Sequence, residues 1–171
     1  MRISNRAGAR TAGSLLIATG AAFSAPAFAA TASSTLNVDA TVTANCTVTT
    51  SPIAFGSVNP LSGSNIDATG GISVTCTNGT SWTAAAGVGS GTGASFASRL
   101  MANGANLLSY NIYTDSGRTT VWGDGTSSTA TVGNTGSGSA QSVTIYGRVT
   151  SGQTSVPPGN YSDTVSVTVT Y

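Results

Sequence analysis

From Leu36 to Ala44 every even-numbered residue is apolar and every odd-numbered one is polar, so that Leu36, Val38, Ala40, Val42 and Ala44 share one parity. Strict alternation of this length predicts a β-strand with one buried face. The pattern returns at the far end, where Val165, Val167, Val169 and Tyr171 alternate with Ser166, Thr168 and Thr170. Between these stretches, shorter apolar runs predict further strands over Cys46–Thr49, Pro52–Val58, Ile72–Cys76, Trp82–Ala86, Leu107–Tyr113, Val121–Trp122 and Val143–Val149. Pro52 marks an edge or a strand start, and Gly147 inside its run predicts a bulge or a close backbone approach. Asn59–Asn65, Asp115–Gly117, Gly123–Gly125 and Pro157–Asn160 carry turn chemistry. Outside the first residues the only helical expectation is a single turn over Ala97–Ala102. Seven or so short strands with Gly-rich turns predict one all-β domain built as a β-sandwich.

The two alternating ends suggest a role. A final strand with an apolar face and nothing after it leaves an edge to be covered. An N-terminal strand from a neighbouring copy would supply that cover, and a head-to-tail contact that does not close on itself generates a filament. The other possibility is that residues 35–44 fold back onto their own sandwich. Only a few residues separate Val42 from Cys46, which makes that reversal tight.

The first residues read as an export signal. Arg2, Arg6 and Arg10 form a basic leader, Leu15 to Phe23 is a short apolar core, and Ala27-Phe28-Ala29 has the small-x-small pattern of a cleavage site. The apolar run is too short to span a bilayer. Cleavage after Ala29 leaves 142 of the 171 residues, enough for one domain with its own core.

Charge then narrows the function. Three arginines leave with the leader; Arg99, Arg118 and Arg148 remain against Asp39, Asp67, Asp115, Asp124 and Asp163, a net charge of −2 with no Lys, Glu or His. Such a chain lacks the clustered cations that nucleic acid or an anionic membrane surface requires. The remaining arginines are expected to make surface pairs with the aspartates, each worth little.

Cys46 and Cys76 are the only cysteines, and export places them where disulfides form. Both share the apolar parity of their strands, so an internal bridge is expected. Without His or a third Cys, no metal site is expected. Closing a loop of this size stabilises by roughly 3.5 kcal/mol in the chain-entropy model.

Enzymatic readings find little support. A serine nucleophile has no His or Lys as base. Asp115 and Asp124 could pair as glycosidase carboxylates, but Asp-Ser-Gly and Gly-Asp-Gly are ordinary turn sequences. The glycine run from Gly87 to Gly93 lacks the Lys and helix of a phosphate-binding loop. Asn78-Gly79-Thr80 is a glycosylation sequon only in a host that uses it. Trp82 is expected in the core, whereas Trp122 fits core or surface equally.

A resemblance rests on several motifs in fixed order. They are the alternating strand running into Asn45-Cys46-Thr47-Val48, then Phe55-Gly56-Ser57-Val58, Ile72-Ser73-Val74-Thr75-Cys76-Thr77-Asn78-Gly79, and Leu108-Ser109-Tyr110-Asn111-Ile112-Tyr113-Thr114-Asp115. Trp122-Gly123-Asp124-Gly125, Ile145-Tyr146-Gly147-Arg148-Val149 and Pro158-Gly159-Asn160-Tyr161-Ser162-Asp163-Thr164-Val165 complete the set. Together they resemble the spore coat protein U domain family, which includes the pilin subunits of archaic chaperone–usher pili, over nearly all of the mature chain. The resemblance implies an incomplete immunoglobulin-like β-sandwich that lacks its last strand and is completed by donor-strand exchange. A periplasmic chaperone would lend a strand first, and an outer-membrane usher would catalyse its replacement by a subunit's N-terminal segment. Residues 1–29 would then be signal peptide, 30–44 the donor strand and 45–171 the pilin-like domain. Leu36, Val38, Ala40 and Val42 would be the donor side chains; Val165, Val167, Val169 and Tyr171 would border the acceptor groove; Cys46 and Cys76 would form the family disulfide. The expected product is a non-enzymatic shaft-type subunit without cofactor, exported through the periplasm to a surface fimbrium serving adhesion or biofilm formation. Its partners would be copies of itself or sister pilins. The alternative is a self-complemented monomeric spore-coat or matrix protein of the same fold.

Overall fold

The computed structural model describes residues 26–171; most of the expected signal peptide lies outside the described residues. The chain divides into an N-terminal unit ending at Asp39 and a second unit, Ala40–Tyr171. In the first, residues 26–39 form no helix or strand and are exposed.

The second unit contains eight strands and, among the described residues, no helix. They are β1 (Cys46–Ser51), β2 (Ile66–Cys76), β3 (Ser81–Ala86), β4 (Arg99–Asn103), β5 (Asn106–Tyr113), β6 (Val132–Thr135), β7 (Gln141–Val149) and β8 (Val167–Thr170). Five form one antiparallel sheet in the order β1-β2-β7-β5-β4, and three form a second in the order β6-β3-β8. Period-two alternation explains the layering. On β2 the even residues Ile72, Val74 and Cys76 are buried; on β7 the odd residues Ile145 and Val149; on β5 the even residues Leu108, Tyr110 and Ile112. Trp82, Ala84 and Ala86 of β3 close this core from the opposite sheet. Each buried aliphatic side chain of this kind contributes about 1.5–3 kcal/mol.

Cys46 and Cys76 face each other in the β1–β2 register and are joined by a disulfide. Both tryptophans are core residues, and each indole N–H has a partner: Trp82 donates to the Gln141 side chain at 3.1 Å, and Trp122 to the Ala84 carbonyl at 3.0 Å.

Several expectations need correction. Residues 35–44 form no strand, because alternation prepares one face but supplies no hydrogen-bonding partner. The segment 52–58 is likewise not a strand, and Val121–Trp122 makes only isolated bridges. The helical turn over 97–102 is replaced by β4, whose pairing with β5 outweighs the helix preference of Leu100, Met101 and Ala102. β6, with glycine and asparagine at its centre, had no apolar pattern to announce it. Arg99 is no surface residue: it is fully buried and pairs with no aspartate. Arg118 and Arg148 do behave as expected, since both reach Asp67, at 3.3 and 2.8 Å.

Candidate functional site

The eight strands leave one side of the sandwich open. β8 pairs with β3 on one edge only, and among the described residues no strand occupies its other edge. Beside it lies a groove of about 400 Å3 that reaches into the core. Its floor is Ile72, Tyr110, Ile112, Trp122 and Ile145, all buried core residues that nevertheless line the cavity. One wall is the segment from Thr50 to Phe55, the other the segment from Tyr161 to Val167. A second cavity, of about 520 Å3, lies among loops near Val88, Phe96 and Val121, and no core residue lines it.

The first wall is seated by glycines. A Cβ on Gly70 of β2 would meet Ile53 at 2.6 Å, and one on Gly147 of β7 would meet Ile53 at 2.7 Å and Phe55 at 2.8 Å. The two bare positions form a notch in the large sheet that admits Ile53 and Phe55, the close approach expected at Gly147. Phe55 then stands edge-on to Tyr110, with ring centroids 6.1 Å apart.

The second wall is held differently. Ser162 exchanges two backbone hydrogen bonds with Ala102 of β4, and the Ser166 carbonyl accepts from the Gly87 N–H at 2.9 Å. Between these anchors, among the described residues, Asp163, Thr164 and Val165 make no backbone–backbone hydrogen bond. The Asp163 carboxylate takes over: it accepts from the Tyr110 hydroxyl, from Ser90 N–H and from Ser90 Oγ, each at 2.7 Å. Burial alone would raise the Asp163 carboxyl, but these donors, with the Thr164 N–H, outweigh it and pull the group below the ordinary carboxylate value. Burial, reinforced by this carboxylate, pushes the Tyr110 phenol well above its usual range.

Arg99 braces the same side from within. Its guanidinium donates to the Gly87 carbonyl, to the Trp122 carbonyl and to Asn111 Oδ1, at 2.6 to 3.0 Å. Asn111 in turn donates to the Phe96 carbonyl. Burial lowers the affinity of Arg99 for its proton, yet three neutral acceptors satisfy the cation in place of a carboxylate.

The candidate residues named from sequence fall as follows. Val165 and Val167 line the groove, Val169 packs partly buried against the core, and Tyr171 is 57% exposed and outside the cavity. Leu36, Val38 and Val42 are 87%, 85% and 84% exposed, and Ala40 is also exposed. Cys46 and Cys76 are bonded. Asp115 accepts from Thr119 and Thr120, and Asp124 from Thr126, so each carboxylate serves its own turn. Sequence reasoning missed Tyr110, Asp163, Ile53 and Phe55 as groove residues. Glycines inside the β2 and β7 runs were the one available signal for the seated wall.

Residues 32–168 match the Spore Coat Protein U domain. No curated protein matches the chain. Among solved structures, the chain is similar to one in the CsuC–CsuE chaperone–tip adhesion subunit pre-assembly complex from the archaic chaperone–usher Csu pili of Acinetobacter baumannii. The TM-score is 0.55 at 19% identity, over 77% of this chain and 40% of that one. This chain therefore spans less than half the length of its structural relative, and the likeness is one of fold, an immunoglobulin-like sandwich. With the domain match covering both walls of the groove and all but the end of β8, the chain belongs to the Spore Coat Protein U domain family.

Proposed function

We propose that the protein is a structural subunit of a chaperone–usher surface fibre whose copies join by donor-strand complementation, in the service of adhesion or biofilm formation. The observation that carries this reading is the groove: core side chains line an open cleft beside the unpaired edge of β8. A core exposed in this way invites a strand that buries apolar side chains and pairs with the free edge. The segment 35–44 has the matching chemistry, with one apolar face and three large side chains more than four-fifths exposed. Leu36, Val38, Ala40 and Val42 would enter the groove of the next copy, each larger side chain contributing about 1.5–3 kcal/mol on burial. Val165 and Val167 would flank the incoming strand, with Val169 and Tyr171 continuing the same edge. In this reading a periplasmic chaperone covers the groove first and an outer-membrane usher hands it to the next subunit. The family membership and the fold shared with a subunit from a chaperone–usher system support this, as does the signal-like leader.

The test is electrophoresis in SDS, unheated against heated, of the mature protein, a deletion of residues 30–43, and Val38→Asp. Donor-strand polymers predict a ladder that collapses on heating and vanishes with the deletion. Val38→Asp, which would bury an unpaired charge, should remove the ladder too while leaving the domain folded by circular dichroism. A single band from the wild type, with the deletion variant unstable by itself, would mean the segment completes its own domain.

A further inference from the structure

Tyr110 touches both walls of the groove: its ring meets Phe55 of the first, and its hydroxyl meets Asp163 of the second. We propose that Tyr110, Asp163 and Ser90 form a latch that sets the width of the empty groove and keeps it open to an incoming strand. This rests on the donor-strand reading above and extends it to how the acceptor is prepared.

Over Asp163–Val165 no backbone ladder fixes the chain, although Ser162 belongs to the edge of one sheet and Ser166 to the edge of the other. A segment crossing between sheets with an apolar cleft beneath it is driven to collapse into that cleft, since closure removes apolar surface from water. The Asp163 side chain opposes this. One oxygen is fixed by Tyr110 on the floor, the other by two donors of Ser90 on the adjoining loop, and the Thr164 N–H closes on the same carboxylate. The loop is shaped for the purpose: Gly89 has φ +95°, and a Cβ there would collide with the Asp163 carboxylate. Two features thus require glycine where the loop meets the acid. Tyr110 is 6% exposed and sits on β5 between β4 and β7, paired with Arg99 and Val149, so it serves as a rigid spacer rather than a mobile side chain. On the other side the Gly70–Gly147 notch holds Ile53, which fixes the depth at which Phe55 meets the ring.

Once a strand fills the groove, its own pairing and side chains hold the walls apart, and the latch is no longer needed. These residues therefore position the acceptor and act on the rate of filling more than on the stability of the filled state.

The experiment uses the full mature chain as wild type, Tyr110→Phe and Asp163→Asn, refolded from urea at equal concentration. Two quantities are read: the rate at which SDS-resistant polymer appears, and the thermal midpoint of finished polymer. Tyr110→Phe keeps the ring and its contact with Phe55 and removes only the hydroxyl, so it tests the latch even where Asp163→Asn folds poorly. The latch predicts polymer forming about tenfold more slowly in Tyr110→Phe, the effect of one lost hydrogen bond to a charged group, with an almost unchanged midpoint. An unchanged rate overturns the proposal. A midpoint that falls in step with the rate also overturns it, because that is the signature of a merely structural bond. Wild type that forms no resistant polymer, or polymer indifferent to Val38→Asp, removes the donor-strand reading itself and the latch with it.

Discussion

Arg99 Nη1 donates to Asn111 Oδ1 at 2.6 Å in the interior of the sandwich, and no carboxylate touches the buried guanidinium. The cation is instead shared among the Gly87 carbonyl, the Trp122 carbonyl and the Asn111 amide. Gly87 in turn donates to Ser166, so a single buried residue connects β4, the loop after β3 and the chain leading into β8.

Arg99→Lys and Arg99→Met should therefore both destabilise strongly, for one reason. A lysine cannot reach three divergent acceptors, and a methionine reaches none, so buried carbonyls lose their partners. The expected cost is about 3 kcal/mol or more, read as a shift of the urea midpoint at constant slope. A variant within 0.5 kcal/mol of wild type, on the order of an ordinary surface substitution, would show that water replaces the guanidinium.

Gly147→Val should act on the groove from behind. The added side chain occupies the space of Ile53 and Phe55, so the first wall must lift from the large sheet. Overpacking of this kind costs about 1–3 kcal/mol, and the unheated SDS ladder should weaken. Ala68, the β2 partner of Gly147 in register, already carries a Cβ, so Ala68→Gly is the control expected to leave the wall in place.

The pH dependence of stability follows from the groups that remain. With no His in the chain, little titrates between about pH 5 and pH 9, and the urea midpoint should be flat there. Asp163 is held below the ordinary carboxylate value of 3.8, so its contribution is complete above that value and is lost as pH falls through its lower folded value. Asp67 is lowered in the same sense, by its hydrogen bond with Arg148 and the charge of Arg118, but it is exposed and its share is small. Tyr110 runs the other way: its folded phenol is raised above the ordinary 10.0, so its contribution is present below that value and is lost as pH rises through the alkaline range. Asp163→Asn should shallow the acid limb of the midpoint-against-pH curve. An acid limb of unchanged steepness would assign it to the other aspartates.

How much was legible beforehand differs from element to element. Alternation along Ile72–Cys76 and Val143–Val149 identified the second half of β2 and most of β7, with the faces they bury, because a half-buried strand imposes period two on its own sequence. Parity placed Cys46 and Cys76 on inward faces, and the register sets them opposite each other. β6 and β4 were not legible, since each is short and owes its existence to a partner strand. Trp122 fitted core or surface by its neighbours alone; the carbonyl of Ala84 across the sandwich decided it.

By itself the sequence determined the all-β class, the inward faces of the long strands, the inward parity of the two cysteines, the absence of histidine chemistry, and the apolar face of residues 35–44. These are local properties, carried by residue types at spacing two. Only the tertiary structure decided that an open groove lies beside β8, that glycines at 70 and 147 seat one of its walls, and that Asp163 ties the other to Tyr110 and Ser90. Apart from the contact of Gly70 with Ile53, those relationships join positions more than 50 residues apart, and no local pattern encodes a hydrogen bond whose two ends are brought together only by the packing of separate sheets.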